Sequence, residues 1–205
     1  MPSTSVTLHC ITCTSKPEHA KINEADGAAA YGRETPKGGM MGVMTVYDGH
    51  VDDVFKEVWN GHLTAAEWNP NVAFATVLVS LSEYADILHQ IGNDVLVISG
   101  REFVTARIYR PVKGGGYLIC GRSIELPEVP PRKDKVRGDL KLLGARLRPH
   151  PDSPESLTIF ETVVIADLKG MLPKFLIAQV APKVVLIEAE LNRKHFKELA
   201  EKAKA

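Results

Sequence analysis

The residues able to do chemistry are few and scattered. Cys10 and Cys13 form a lone CxxC with His9 beside it, a spacing that suits a thiolate metal site or a redox pair. A zinc site needs a second ligand pair at comparable spacing, and none lies nearby. The other histidines, His19, His50, His62, His89, His150 and His195, give neither an HxxxH nor an HExxH pair. Gly114, Gly115 and Gly116 have no helical pattern after them, so they read as a hairpin turn rather than a phosphate cradle. No GxSxG elbow is present. The expectation is a protein that binds without chemistry, with no catalytic residues, no metal and no cofactor.

Composition narrows the partners. Lys+Arg and Asp+Glu are both 25, so the basic excess of a nucleic-acid binder is missing. With 44% hydrophobic and 24% charged residues, 205 residues are enough for one domain with a sizeable core. No apolar run approaches the ~18 residues of a membrane span. Three cysteines suit a reducing compartment, which predicts a cytoplasmic protein. Residues 1–16 lack acids and Arg, and they read as an N-terminal extension with at most a weak targeting signal. The domain itself is predicted over residues 17–205.

The elements alternate unevenly along the chain. Val6 to Cys13 looks extended, residues 21–39 read as weak strands, and residues 40–46 as a firmer one. Val51, Val54, Phe55, Val58 and Trp59 carry helical spacing, and Thr64 with Glu67 matches a capping box for a second, short helix. Strand-like segments fill residues 72–110, 117–124, 136–147 and 157–168, with turns at Gly92 to Asp94 and the prolines near 130. A long helix follows Pro173. Ile177, Val180, Val184, Ile187 and Leu191 form its apolar stripe, Leu176 widens it, and Pro182 predicts a kink or break. This is an α+β chain whose meandering antiparallel sheet can curl around one long helix and leave a cavity between them.

Five segments in order carry a resemblance: EWNPNV (67–72), REFVTAR (101–107), GRSIELPEVPP (121–131), KVRGDLKLLG (135–144) and DLKGMLPKFLIAQV (167–180). Together they resemble the START (steroidogenic acute regulatory protein-related lipid transfer) domain, and most of all its sterol-binding branch. The resemblance implies the helix-grip fold, a curved antiparallel β-sheet around a long C-terminal α-helix enclosing a lipid tunnel. It also implies a carrier of one hydrophobic lipid, a sterol such as cholesterol, moving between membranes with transient contact at their surfaces. Carotenoid, phosphatidylcholine and a lipid-sensing regulatory module are the alternatives. Protein partners are not indicated.

The resemblance also names positions. Arg107, ending REFVTAR, takes the place of a tunnel Arg, and Phe103 and Thr105 share its strand face. The matching acid depends on the alignment of residues 72–100. Holding that segment near constant length puts Gln90 in the acid's place and predicts an Arg107 with no carboxylate partner. Leu176, Val180, Val184, Ile187 and Leu191 are expected to line the lipid from the helix. Val95, Leu96, Val97 and Ile98 are expected to form the lid loop at the mouth. Trp59 and Trp68 are expected to pack rather than touch ligand. Met171 stands where the family commonly has Trp.

Overall fold

The computed structural model describes residues 20–25 and 27–204; Val6, His9, Cys10 and Cys13 lie outside them, so the extended segment and the CxxC find no test here. Alternating apolar and polar residues fold into strands β1 (Ala20–Ala25), β2 (Ala28–Thr35) and β3 (Gly38–Asp48). Helix α1 (Val51–Asn60) follows, buries Val51, Val54, Phe55 and Trp59 on one face, and runs through a 3₁₀ turn into α2 (Ala65–Trp68). Then come β4 (Val72–Ser82), β5 (Ala85–Gly92), β6 (Arg101–Pro111), β7 (Tyr117–Ser123), β8 (Val136–Arg137), β9 (Asp139–Pro149) and β10 (Leu157–Asp167). The chain ends in α3 (Lys174–Lys202).

Among the described residues, nine strands form one antiparallel sheet in the order β1-β2-β3-β10-β9-β7-β6-β5-β4, and β8 adds a short parallel pair to β6. The sheet curves around α3, the helix-grip arrangement. Gly114, Gly115 and Gly116, all near φ +95°, make the turn before β7; a Cβ on Gly116 would sit 2.1 Å from the Leu147 carbonyl oxygen, so only glycine fits.

Two cores hold the sheet to the helices. Under α1, Val54, Phe55 and Trp59 pack with Tyr47, Ile119, Leu147 and Phe196, and the Phe55 and Tyr117 rings stack at 3.7 Å. Under α3, Leu186 and Ala189 pack on Ala28, Ala30 and Val43. Small residues on β2 let the helix approach closely.

Three details depart from the sequence expectations. Thr64 makes no side-chain cap; its hydroxyl turns back to the Gly61 carbonyl, so the capping box does not form. The strand expected over 136–147 is split at Gly138, where a Cβ would meet the Phe103 ring at 2.4 Å. Helix α3 runs through Pro182 without a break, and the buried proline ring supplies packing where it withholds an N–H from Ala178.

On the outer face, the fully buried Glu102 accepts from Arg137 at 2.7 Å, the Arg132 amide at 3.1 Å and His89 at 3.1 Å. Burial alone would raise its pKa, but these donors and the Arg137 charge outweigh burial and hold the carboxyl below its ordinary value. Glu102 thus pins the proline-rich loop 124–135 to the sheet.

Candidate functional site

Between the concave sheet and the three helices lies a cavity of about 530 Å³. Strands β5 and β6 give it three rungs in unbroken register: Asp86 opposite Arg107, Leu88 opposite Thr105 and Gln90 opposite Phe103. Side chains alternate faces along a strand, so every second residue of each points inward. Arg107, Gln90, Phe103 and Thr105 therefore line the cavity together, as does Leu88.

The expected lone Arg107 is not found. Its Nε donates to Asp86 Oδ1 at 2.8 Å, and its Nη2 donates to Asp86 Oδ2 at 2.6 Å and to the Trp59 carbonyl at 3.3 Å. The guanidinium also lies over the Trp59 ring, 4.3 Å from its centre. Both charged residues are buried, so they form a bidentate pair withdrawn from water. The carboxylate is thus Asp86, and Gln90 does not replace it. The constant-length alignment put the acid on the right face but two rungs too far along β5.

Beside this pair, His62 lines the cavity from the turn after α1. Burial first, and then the Arg107 charge, push its pKa down to about 4 against the opposing pull of Asp86. His62 is neutral at physiological pH, so this end of the cavity carries no net charge.

Helix α3 meets the cavity through Glu188, Asn192, His195 and Phe196. Leu176, Val180, Val184, Ile187 and Leu191 are not among the lining residues. At 3.6 residues per turn their stripe sits roughly a quarter-turn away from the cavity-facing one. The apolar signal was strongest on a face that the cavity does not use, because the cavity face carries Glu188, Asn192 and His195. Those polar residues have structural partners. Glu188 accepts from Asn69 at 2.9 Å and Asn71 at 2.6 Å, and His195 pairs with Glu57 at 2.8 Å. Trp68 stacks flat on His195 at 3.9 Å. It packs as expected but also lines the cavity, with its indole N–H buried and unpaired. Tyr47, also lining, stacks on Phe196 at 4.6 Å, and burial raises its pKa. No aspect of spacing marked Asp86, His62, Tyr47 or Trp68, because Asp86 meets Arg107 through sheet register and the other three reach the cavity through a strand or a helix turn.

Val95 to Ile98 occupies the loop between β5 and β6. Backbone bonds between Val95 and Ile98 close a tight turn, with Leu96 at φ +55°. Ile98 is buried, while Leu96 and Val97 are 58% and 66% exposed. At the loop's base, Arg101 donates through Nη1 to the Ser99 carbonyl and hydroxyl, through Nε to the Leu168 carbonyl and through Nη2 to the Lys169 carbonyl. The loop and the connection into α3 are thereby joined at one end of the molecule, where Met171 and Phe175 are also exposed. Among the described residues no helix is long and apolar enough to cross a membrane, and no cluster of three His, Cys, Asp or Glu is placed to hold a metal.

Comparison with known proteins agrees with this architecture. The chain is 43% identical over 178 residues to steroidogenic acute regulatory-like protein 1 of Caenorhabditis elegans, covering 86% of this chain and 68% of that protein. It is 30% identical over 130 residues to the mitochondrial steroidogenic acute regulatory protein of Danio rerio, covering 62% of this chain and 45% of the relative. The chain thus spans about half the length of several relatives that it matches. Human StAR-related lipid transfer protein 5 superposes with a TM-score of 0.82 at 21% identity, covering 90% of this chain and 89% of the other. Human STARD10 superposes with a TM-score of 0.80 at 19% identity, covering 94% and 78%. The START domain profile matches residues 20–202, and the chain belongs to the START domain family.

Proposed function

We infer from its START membership that this chain is a lipid-binding and lipid-transfer domain. We propose that its cargo is one neutral, rigid lipid, a sterol such as cholesterol, held in the cavity and carried through the cytoplasm between membranes. The observation that carries this reading is the closed ion pair of Asp86 and Arg107. An Arg107 with no partner would suit a lipid phosphate, whereas a neutralised one offers hydrogen bonds without net charge and favours a hydroxyl. A volume near 530 Å³ also suits one compact lipid better than the two acyl chains of a phosphatidylcholine.

Burying ~400 Å² of sterol surface at ~25 cal/mol per Å² recovers on the order of 10 kcal/mol before ordering costs, enough to hold cargo in water and still release it. The protein acts as a carrier, with no cofactor and no bond made or broken. The exposed Leu96 and Val97 make the transient contact with the membrane surface, peripherally at organelle membranes. Mass spectrometry of lipid copurified with the protein, followed by transfer of labelled cholesterol between liposomes, tests the reading. One sterol per chain and catalysed transfer are expected. Copurified carotenoid or phosphatidylcholine, or binding of sterol without transfer, would replace it.

A further inference from the structure

Arg101 is 6% exposed, yet its guanidinium meets no carboxylate among the described residues. Its acceptors are three backbone carbonyls and one hydroxyl, the Ser99 Oγ, 2.6 Å from Nη1. Asp94 is the acid whose charge reaches it, but Asp94 Oδ1 accepts from the Gly100 amide at 2.7 Å, and Asp94 makes no ion pair with Arg101. The contrast is Arg107, whose buried charge is closed by the bidentate carboxylate of Asp86. A buried cation held only by neutral acceptors is a site short of one anion.

Ser99 can bring that anion. It is exposed and lies in the loop 93–100 between β5 and β6, so its hydroxyl is open to a modifying enzyme when the loop swings away from Arg101. Phosphorylation adds a charge of about −1.5 to −2 and three acceptor oxygens. One of these facing Nη1 replaces a neutral acceptor with a charged one, roughly doubling the strength of the bond. Arg101 also holds the Leu168 and Lys169 carbonyls, so the loop and the connection into α3 are clamped together. The charge left over stands beside the exposed Leu96, Val97, Met171 and Phe175, and it must be desolvated before that rim enters a lipid surface. Clamp and charge act in the same direction, against engagement of the membrane.

We propose that Ser99 is a phosphorylation site and that its phosphate, bound by Arg101, switches lipid transfer off. This rests on the carrier reading above and adds its regulation. The donor is a nucleoside triphosphate held by a protein kinase. Ser99 Oγ bonds to the γ-phosphorus as the bond from that phosphorus to the β,γ-bridging oxygen breaks. The nucleoside diphosphate leaves, and the hydroxyl proton passes to the base of the kinase.

The test has two arms. The full chain, purified with phosphatase inhibitors from the cells that make it, is mapped by mass spectrometry, and phosphate on Ser99 is expected. The full chain carrying phosphoserine at position 99 is then compared with the unmodified chain for cholesterol binding and for transfer between liposomes. Transfer should fall about tenfold or more and return on phosphatase treatment, with equilibrium affinity changed less than about threefold. Amide exchange over residues 95–100 should slow, and Arg101→Met carrying the same phosphoserine should not show that slowing. A native chain without phosphate on Ser99, transfer at the unmodified rate, or slowed exchange that survives Arg101→Met would overturn the proposal. Failure of the unmodified chain to bind or transfer sterol would instead overturn the carrier reading on which it stands.

Discussion

Asp86 and Arg107 are each buried, and each is tolerable only because of the other. Removing one partner leaves a charge in the interior, so Arg107→Leu or Asp86→Asn alone should cost about 3–5 kcal/mol. Replacing both with Leu should recover most of that loss. Urea melts of the two single variants and the double variant check this, and additive losses would show that the pair is not coupled. The Arg107 with no carboxylate partner that the sequence alone implies would have made the same substitution cost nothing. Both residues were in plain view, but their pairing is a property of the β5–β6 register, which runs through the connection at residues 93–100 and which no local pattern announces. His62 adds a dependence on pH. Its folded pKa, about 4, lies below its unfolded value, so the native state binds fewer protons between them and loses stability as pH falls through that window. The loss attributable to His62 should be about 2 kcal/mol between pH 7 and 4.5, and absent from His62→Gln. Parallel melting curves over that range would reveal it.

Among the elements, the strands and long helix were legible because alternation and the 3.6-residue period are written directly into residue type. What α3 does with its faces was not. Three surfaces share it: Leu186 and Ala189 on the sheet, Glu188 and His195 toward the cavity, and the half-buried stripe of Val184, Ile187 and Leu191 beside them. Hydrophobicity alone ranks the last first. Val95 to Ile98 does form a loop between β5 and β6, but nothing in the sequence marks Arg101 as its anchor. Arg101 is 6% exposed and makes hydrogen bonds only to carbonyls and a hydroxyl among the described residues, and burial lowers its pKa. Its donors join Ser99 on the loop to Leu168 and Lys169 before α3, so the two segments should open together. Arg101→Met should therefore raise amide hydrogen exchange in residues 95–100 and in residues 168–173 by similar factors, about tenfold or more. Faster exchange in the loop alone would show that the helix connection is held by something else.

Across the whole molecule, attachment is uneven. The C-terminal half of α3 is fixed by Phe196 on Tyr47, His195 on Glu57 and Glu188 on two asparagines, all near α1 and α2. At the opposite end Leu96, Val97, Met171 and Phe175 are exposed around the Arg101 anchor. An apolar rim of this kind has no role in holding the native state, since its side chains are already in water, but it gains free energy wherever a lipid surface is offered. Burial of Leu96 and Val97 in a membrane is worth roughly 1.5–3 kcal/mol each, whereas neither lines the cavity. Leu96→Ser with Val97→Ser should therefore leave thermal stability and equilibrium lipid affinity nearly unchanged. The rate of lipid transfer between liposomes should fall about tenfold or more, because the bound encounter with the membrane becomes shorter. Rates measured at several acceptor concentrations separate this from slower release: a collision defect weakens the dependence on acceptor, while a release defect does not. A double variant that transfers at the wild-type rate would place the membrane-facing mouth elsewhere, and the rim around Arg101 would then need a different explanation.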